Sequence, residues 1–287
     1  MKKNIYLIAT LVTQVLVLFN CINAETNAGL VKFRLRPNGR MIVPVQIGDG
    51  ETLEFLLDTG ATTTTITTET ARRLKLEPVG HSEVDTPTGT ITIPQGSIHR
   101  ITMGERSVTD VKVYWTDLPY LASIDRRLSG ILGLNFFGRS SFAIDYDNKY
   151  VRIMDNTALA VGDHIPMQIE GGRMLVKLLI GGVNVKLALD SGASNIFLYS
   201  SGCRKLSAHV QQAEPSAQAV SGGGNVSVET AILDNLNVGG VHLERLKVGL
   251  LRDAERPADG LLPLHLFRSI YINSSDGYVI VDPRLPS

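Results

Sequence analysis

Two aspartates sit in nearly the same local sequence. Asp58 lies in "FLLDTGAT", Phe55 to Thr62, and Asp190 in "LALDSGAS", Leu187 to Ser194. In each, an apolar run delivers one carboxylate, and a hydroxyl residue, a glycine and an alanine follow. A carboxylate at the end of an apolar strand is costly unless it is paired or hydrogen-bonded. One such loop reads as an ordinary turn, with Asp accepting backbone N–H bonds. Two copies ask for more. Two carboxylates held side by side cannot both ionise easily, so they share one proton and supply a base and an acid in one place.

The flanking residue types suit that chemistry. Thr59 and Ser191 carry hydroxyls that can bond across or along the loops and fix the carboxylates. Gly60 and Gly192 permit a tight turn and leave room for a water or substrate atom. Ala61 and Ala193 are small and add no hydroxyl. Thr62 and Ser194 either donate further hydrogen bonds or cap the turn.

The elements that must position these loops are themselves written twice. "NGRMIVPVQIGDGETLEFLLDTGAT" from Asn38 recurs as "GGRMLVKLLIGGVNVKLALDSGAS" from Gly171. Arg40 and Arg173, Met41 and Met174, and Asp58 and Asp190 fall in the same order, with one residue deleted between the second and third pairs. Downstream, "SGILGLNFF" from Ser129 matches "DGLLPLHLF" from Asp259, and each copy runs into a hairpin-like tail from Phe142 or Ile270. Gly133 lies 75 residues after Asp58, and Pro263 lies 73 after Asp190. Such a repeat implies two lobes of similar size. If they face each other about a pseudo-twofold axis, equivalent loops meet there and the two aspartates become neighbours.

Most of the remaining chain alternates β-branched and apolar residues between Gly, Asn and Asp turns, which predicts a mostly β protein. Few helices are expected: one over "TETARRLKL" with Thr68 as its N-cap, and short stretches after Leu134 and Leu264. The expected division is a leader at 1–24, a first lobe at 28–155 and a second at 164–287, joined around Asn156 to His164.

Bulk properties narrow the field. The 287 residues are 44% hydrophobic, enough for one large or two modest cores. With 28 basic and 28 acidic side chains, no long-range field favours nucleic acid or an anionic membrane. The N-terminus has two lysines, an apolar stretch from Ile5 to Phe19 and a small residue at Ala24, the order of a secretory leader too short for a membrane span. The mature protein is therefore expected to be exported, periplasmic or secreted, without an integral span. Lipidation at Cys21 is the alternative to plain cleavage, disfavoured by the bulky Phe19 and Asn20. Loss of Cys21 leaves Cys203 alone, read as a small buried apolar residue. Trp115 is read as core or cleft wall. The six histidines lack close metal-ligand spacing, and no nucleophile elbow, phosphate loop or dinucleotide fingerprint occurs, so no metal or organic cofactor is expected.

"LLDTGA", "LALDSGA" and the downstream "ILG" resemble the aspartic peptidases, in particular the retropepsin-like branch, whose halves each carry a D-[TS]-G-A loop. Here both halves stand in one chain, as in pepsin-type enzymes, and the resemblance covers nearly all of the mature sequence. It implies an all-β, two-lobed acid-protease fold, a peptide or protein substrate in the cleft, Asp58 and Asp190 as catalytic residues, and a monomer with intrachain lobe pairing. It also implies β-hairpin flaps, placed at Asp85 to Pro94 and Ala219 to Val228, with Thr88, Gly89 and Thr90, and Gly222, Gly223 and Gly224, at their tips. The competing reading of both is an ordinary glycine-containing surface hairpin.

Two departures stand out. Neither flap segment contains the tyrosine usual in pepsin-type flaps, and Pro263 replaces Gly133, placed by this reading at the first position of a helix. The competing functional reading is an exported peptide-binding or envelope interaction module that uses the same cleft without turnover.

Overall fold

The computed structural model describes residues 29–86, 89–154, 160–221 and 224–283. The leader segment 1–24 with Cys21, the linker residues 156–159, and Thr88, Gly222 and Gly223 lie outside the described residues. In the first lobe, β1 (Leu30–Lys32) and β2 (Arg34–Leu35) precede β3 (Met41–Ile47), β4 (Thr52–Leu57), β5 (Thr64–Thr67) and β6 (Gly80–Thr86). β7 (Gly89–Met103), β8 (Arg106–Thr116), β9 (Leu128–Leu132), β10 (Ser141–Asp145) and β11 (Tyr150–Met154) complete it. The second lobe runs through β12 (Ile165–Glu170), β13 (Arg173–Ile180), β14 (Val183–Asp190), β15 (Ile196–Tyr199) and β16 (Val210–Ser221). β17 (Gly224–Val238), β18 (Val241–Leu251), β19 (Gly260–Pro263), β20 (Ser269–Asn273) and β21 (Tyr278–Val281) follow.

The architecture is all-β, two-lobed and internally duplicated, as the repeat implied. In the first lobe β4 runs parallel to β9, β9 antiparallel to β5, and β5 parallel to β8. In the second, β14, β19, β15 and β18 repeat those pairings. The parallel pair delivers each aspartate: Leu57 opposes Leu132, and Asp190 opposes Pro263. The lobes join through β10 and β20, which pair antiparallel from Phe142↔Ile272 to Asp145↔Ser269. Phe142, Ile144, Ile270 and Ile272 are fully buried there, within one apolar cluster that spans both lobes. Burial on that scale holds the two halves as one body.

Hairpins form in both of the segments around Gly89 and Gly224. β6 and β7 close at Thr86↔Gly89, and β16 and β17 at Ser221↔Gly224. Gly89 and Gly224 thus open the returning strands, Thr90 is exposed, and Gly224 has a φ of +117° that side-chain-bearing residues rarely adopt.

The helices differ from expectation in detail. The first spans Thr68–Arg73, and its cap is Thr67 rather than Thr68: the Thr67 hydroxyl, on extended backbone, accepts from Thr70 N at 3.1 Å. Lys75, at φ 54°, ends the turn early. The segments after Leu134 and Leu264 form single 3-10 turns, Leu134–Phe136 and Leu264–Leu266. Pro263 is not a first helical residue but the last residue of β19, with φ −69° and ψ 135°. Two further helices, Pro119–Ile124 and Ser200–Lys205, and a 3-10 turn at Pro37–Gly39 complete the set among the described residues. Cys203 packs inside the second lobe with its thiol 3.4 Å from Leu198 O, and burial pushes that thiol up. Trp115 belongs to the core. Among the described residues, no helix is long and apolar enough to cross a membrane.

Candidate active site

β4 and β14 bury Leu53, Phe55 and Leu57, and Val185, Leu187 and Leu189, in the main core. The next side chain in each strand's alternation, Asp58 or Asp190, therefore points to the opposite face, toward the other lobe. Asp58 N donates to Leu132 O at 3.1 Å, which ties the loop to the parallel partner strand. Gly60 N donates to Asp58 Oδ1, and both Gly192 N and Ala193 N donate to Asp190 Oδ1, all at 2.8 Å. Ala61 N turns instead to Asp58 O at 3.3 Å.

Thr59 and Ser191 bond across the lobes rather than along their own loops. Thr59 N donates to Ser191 Oγ and Ser191 N to Thr59 Oγ1, while the two hydroxyls donate to Leu189 O and Leu57 O. All four contacts are 3.0 Å, and both residues are at most 1% exposed. Each hydroxyl accepts once and donates once, so the buried Thr59 and Ser191 N–H groups are satisfied at the lobe boundary.

That lattice brings the two carboxylates into hydrogen-bond contact. A Cβ on Gly60 would stand 2.5 Å from the Asp190 carboxylate, and one on Gly192 would stand 2.7 Å from that of Asp58. The room beside each glycine is thus filled by the opposite aspartate, a correction to the view of these glycines as space for water or substrate. Neither glycine has a positive φ, so close approach, not backbone freedom, demands them. We expect Gly192→Ala to lower turnover by at least about 100-fold, on the scale of a misplacement of about 1 Å in a reacting centre. Steady-state kinetics on any peptide cleaved by the parent checks this, and near-parental turnover would contradict the geometry.

Burial raises the pKa of both aspartates, and for Asp190 the negative charge of Asp58 raises it well further. The Gly60 N–H, then the interaction with Asp190 and last the Arg40 charge oppose that rise at Asp58 without cancelling it. The pair therefore retains one proton above the usual carboxylate range. Tyr120 lies near both carboxylates, where burial and then the Asp58 charge hold its phenol protonated far beyond the ordinary value.

Several contributors escaped the sequence reading. Arg40 reaches from the start of β3 across the lobes, its Nε donating to Gly192 O at 3.3 Å. Thr64 and Asn135 lock the first loop: Asn135 Oδ1 accepts from Thr64 N and Oγ1, both at 2.8 Å, and Gly133 N donates to Thr64 Oγ1. Six residues after Asp190 stands Ile196, with no such acceptor, and Pro263 at the Gly133 position has no N–H to donate. The proline and the isoleucine thus stand where the first lobe makes its Gly133–Thr64 hydrogen bond, and the second lobe makes none. Thr62 and Ser194 bond neither aspartate in any hydrogen bond among the described residues; Ser194 Oγ accepts from Asn195 Nδ2 at 3.3 Å.

A sequence-family model described as "Aspartyl protease" matches residues 43–136 and, a second time, residues 176–265. Each match contains one of the two aspartate loops, and together they cover more than half of the chain. No match is found among curated proteins.

Proposed function

Because the chain belongs to the aspartyl protease family, we propose that it is an endopeptidase whose reacting groups are Asp58 and Asp190. The observation that carries this reading is the reciprocal Thr59–Ser191 hydrogen bonding, which seats the two carboxylates against each other at the lobe boundary. In this mechanism a water between the carboxylates loses a proton to the ionised one and attacks the scissile carbonyl. The protonated partner donates a hydrogen bond to the carbonyl oxygen as charge builds there, and the leaving amine then takes up a proton. Each carboxylate needs the other: ionised together they repel, and protonated together they offer no base.

The matched hairpins at Thr86–Gly89 and Ser221–Gly224 support a retropepsin-like cleft with one flap from each lobe, here within a single chain. An extended peptide would add its backbone to their edges and place alternate side chains in pockets on either side. The leader-like segment 1–24 supports action after export.

The direct test is cleavage of a diverse peptide library from acidic to neutral pH, with and without a statine-type mimic of the tetrahedral intermediate. Mimic-sensitive cleavage is expected. Peptide binding without cleavage at any pH would transfer the weight to a non-catalytic binding module.

Arg40 contributes to the acid limit. Its positive charge favours ionised Asp58, so Arg40→Gln raises the pKa at which the doubly protonated pair gives up its first proton. The low-pH limb of the kcat/KM profile is then expected to move to higher pH, because the active, singly protonated state is reached later. An acid limb that stays in place in the variant would remove Arg40 from this role.

A further inference from the structure

The two lobes differ most where the chain crosses beside the aspartates. In the first lobe, Ile42, Leu56 and Ile131 form the sheet face next to Asp58. The connection 117–127 lays its helix on that face, covering it with Leu118 and Leu121. The equivalent face of the second lobe is Leu175, Ala188 and Leu261, in register across β13, β14 and β19. Ala188 is two residues from Asp190 on one strand, so both side chains lie on the same face. The connection there, 252–259, is three residues shorter and forms no helix. Alanine replaces leucine at the centre of the face, Ala258 packs on it from the connection, and a hollow remains beside them.

That hollow is floored by Leu175, Ala188 and Leu261 and walled by Arg173, Arg256 and Tyr199. Thr86, at the root of the first-lobe hairpin tip, closes its outer side, and Arg256 Nη2 donates to the Thr86 carbonyl oxygen. Arg256 Nη1 donates to Glu255 O at 2.8 Å, so both partners are neutral carbonyls. Among the described residues, neither Arg173 nor Arg256 forms an ion pair. The acidic residue on the rim, Glu170, is already matched by Lys186 at 2.8 Å. Both guanidinium charges act on the buried Tyr199 phenol, opposing the rise to about 12 that burial and the Asp190 charge impose. Two half-buried guanidiniums over an apolar floor, without a counter-charge, fit a planar carboxylate.

We propose that this hollow is a substrate subsite for a carboxylate, so that the enzyme selects peptides bearing Asp or Glu, or a chain terminus, at one position next to the scissile bond. The inference rests on the peptidase reading for its location, since the same sheet face presents Asp190. Because Arg256 also donates to the Thr86 carbonyl oxygen, the subsite lies against the root of the first-lobe hairpin.

The test separates the two readings by measuring binding and cleavage apart. The full chain carrying Asp58→Asn is titrated with N-acetylated, C-amidated fluorescent peptides of neutral sequence in which each position in turn is Glu or Gln. One position is expected to bind the Glu peptide at least about tenfold more tightly, the scale of a charge-assisted hydrogen bond. Adding Arg173→Gln and Arg256→Gln should bring that ratio to within about twofold of one, and Arg256→Lys should keep part of it, since the charge remains. Repeating the titration with free C-terminal acids tells the sources apart: a preference seen only with the free acid assigns the hollow to a chain terminus. Equal binding of Glu and Gln peptides and of acid and amide, no peptide binding at all by folded protein, or a preference that survives both arginine replacements overturns the proposal. Cleavage of the same panel by the parent without acidic preference would overturn the subsite and leave the peptidase. Arginine-dependent acidic preference without cleavage by the parent would do the reverse.

Discussion

Asp190→Asn is expected to lower kcat/KM for peptide cleavage by about 10³-fold or more, within the span that a positioned acid or base supplies, while the protein melts at a higher temperature at pH 7. The amide is close to isosteric. Its oxygen still accepts from Gly192 N and Ala193 N, which now meet Asp190 Oδ1 at 2.8 Å, and its nitrogen can donate to Asp58. What is lost is the ability to exchange a proton. What is gained follows from linkage: the folded pKa of Asp190 is raised above its unfolded value, first by burial and then by Asp58. The folded state therefore binds the Asp190 proton more tightly than the unfolded chain does. The associated stability is fully present below the unfolded pKa and is lost as pH rises through the folded one. Asparagine removes that loss, so its advantage in melting temperature is large at pH 7 and shrinks toward pH 4. Asp58→Asn behaves likewise, because burial raises the pKa of both members of the pair. Melting curves at the two pH values, beside kinetics, check both halves. Substantial cleavage by either variant would end the paired-carboxylate mechanism.

Ser191→Ala is expected to destabilise the protein by about 1.5–4.5 kcal/mol, although a single oxygen is removed. The Ser191 hydroxyl accepts from Thr59 N and donates to Leu57 O, both in fully buried surroundings. Its loss strands the Thr59 N–H, at about 1–3 kcal/mol, and removes one hydrogen bond to Leu57 O, which keeps its ladder partner Met41, at about 0.5–1.5 kcal/mol. Thr59→Val should do comparable damage by stranding Ser191 N and Leu189 O. Because the two residues form one reciprocal unit, the double variant should fall short of the sum of the singles. Against a total stability of about 5–15 kcal/mol for a folded domain, such losses show directly as a lower urea midpoint. A Ser191→Ala midpoint close to that of the parent would mean that water or a local shift satisfies those groups.

The repeat was legible in the chain because duplication preserves order. The pairs Arg40 and Arg173, Met41 and Met174, and Asp58 and Asp190 survive as a pattern even where intervening residues differ. The all-β character was legible because alternation of apolar and polar residues is a local property, read from β3 or β18 without knowing their partners. The helices were less legible. Thr67, not Thr68, caps the first, because the cap is the residue that still lies in the strand, and adjacent threonines do not say where the strand stops. The stretches after Leu134 and Leu264 shrink to 3-10 turns because the crossover into β10 and β20 leaves room for a single turn.

The sequence by itself determined that two equivalent carboxylates, each with its hydroxyl, glycine and alanine, stand at the ends of equivalent strands. Tertiary structure alone decided the direction of their contacts. Thr59 and Ser191 bond to each other's lobe, Gly60 is bare because Asp190 fills its space, and Arg40 crosses to Gly192. It also decided that the second lobe leaves open, between Arg173 and Arg256, a hollow whose counterpart the first lobe fills with leucines. The physical reason is one of range. Periodicity and turn chemistry act over a few residues, whereas these contacts join groups more than 80 positions apart, and only packing of the β10–β20 interface brings them within hydrogen-bond reach.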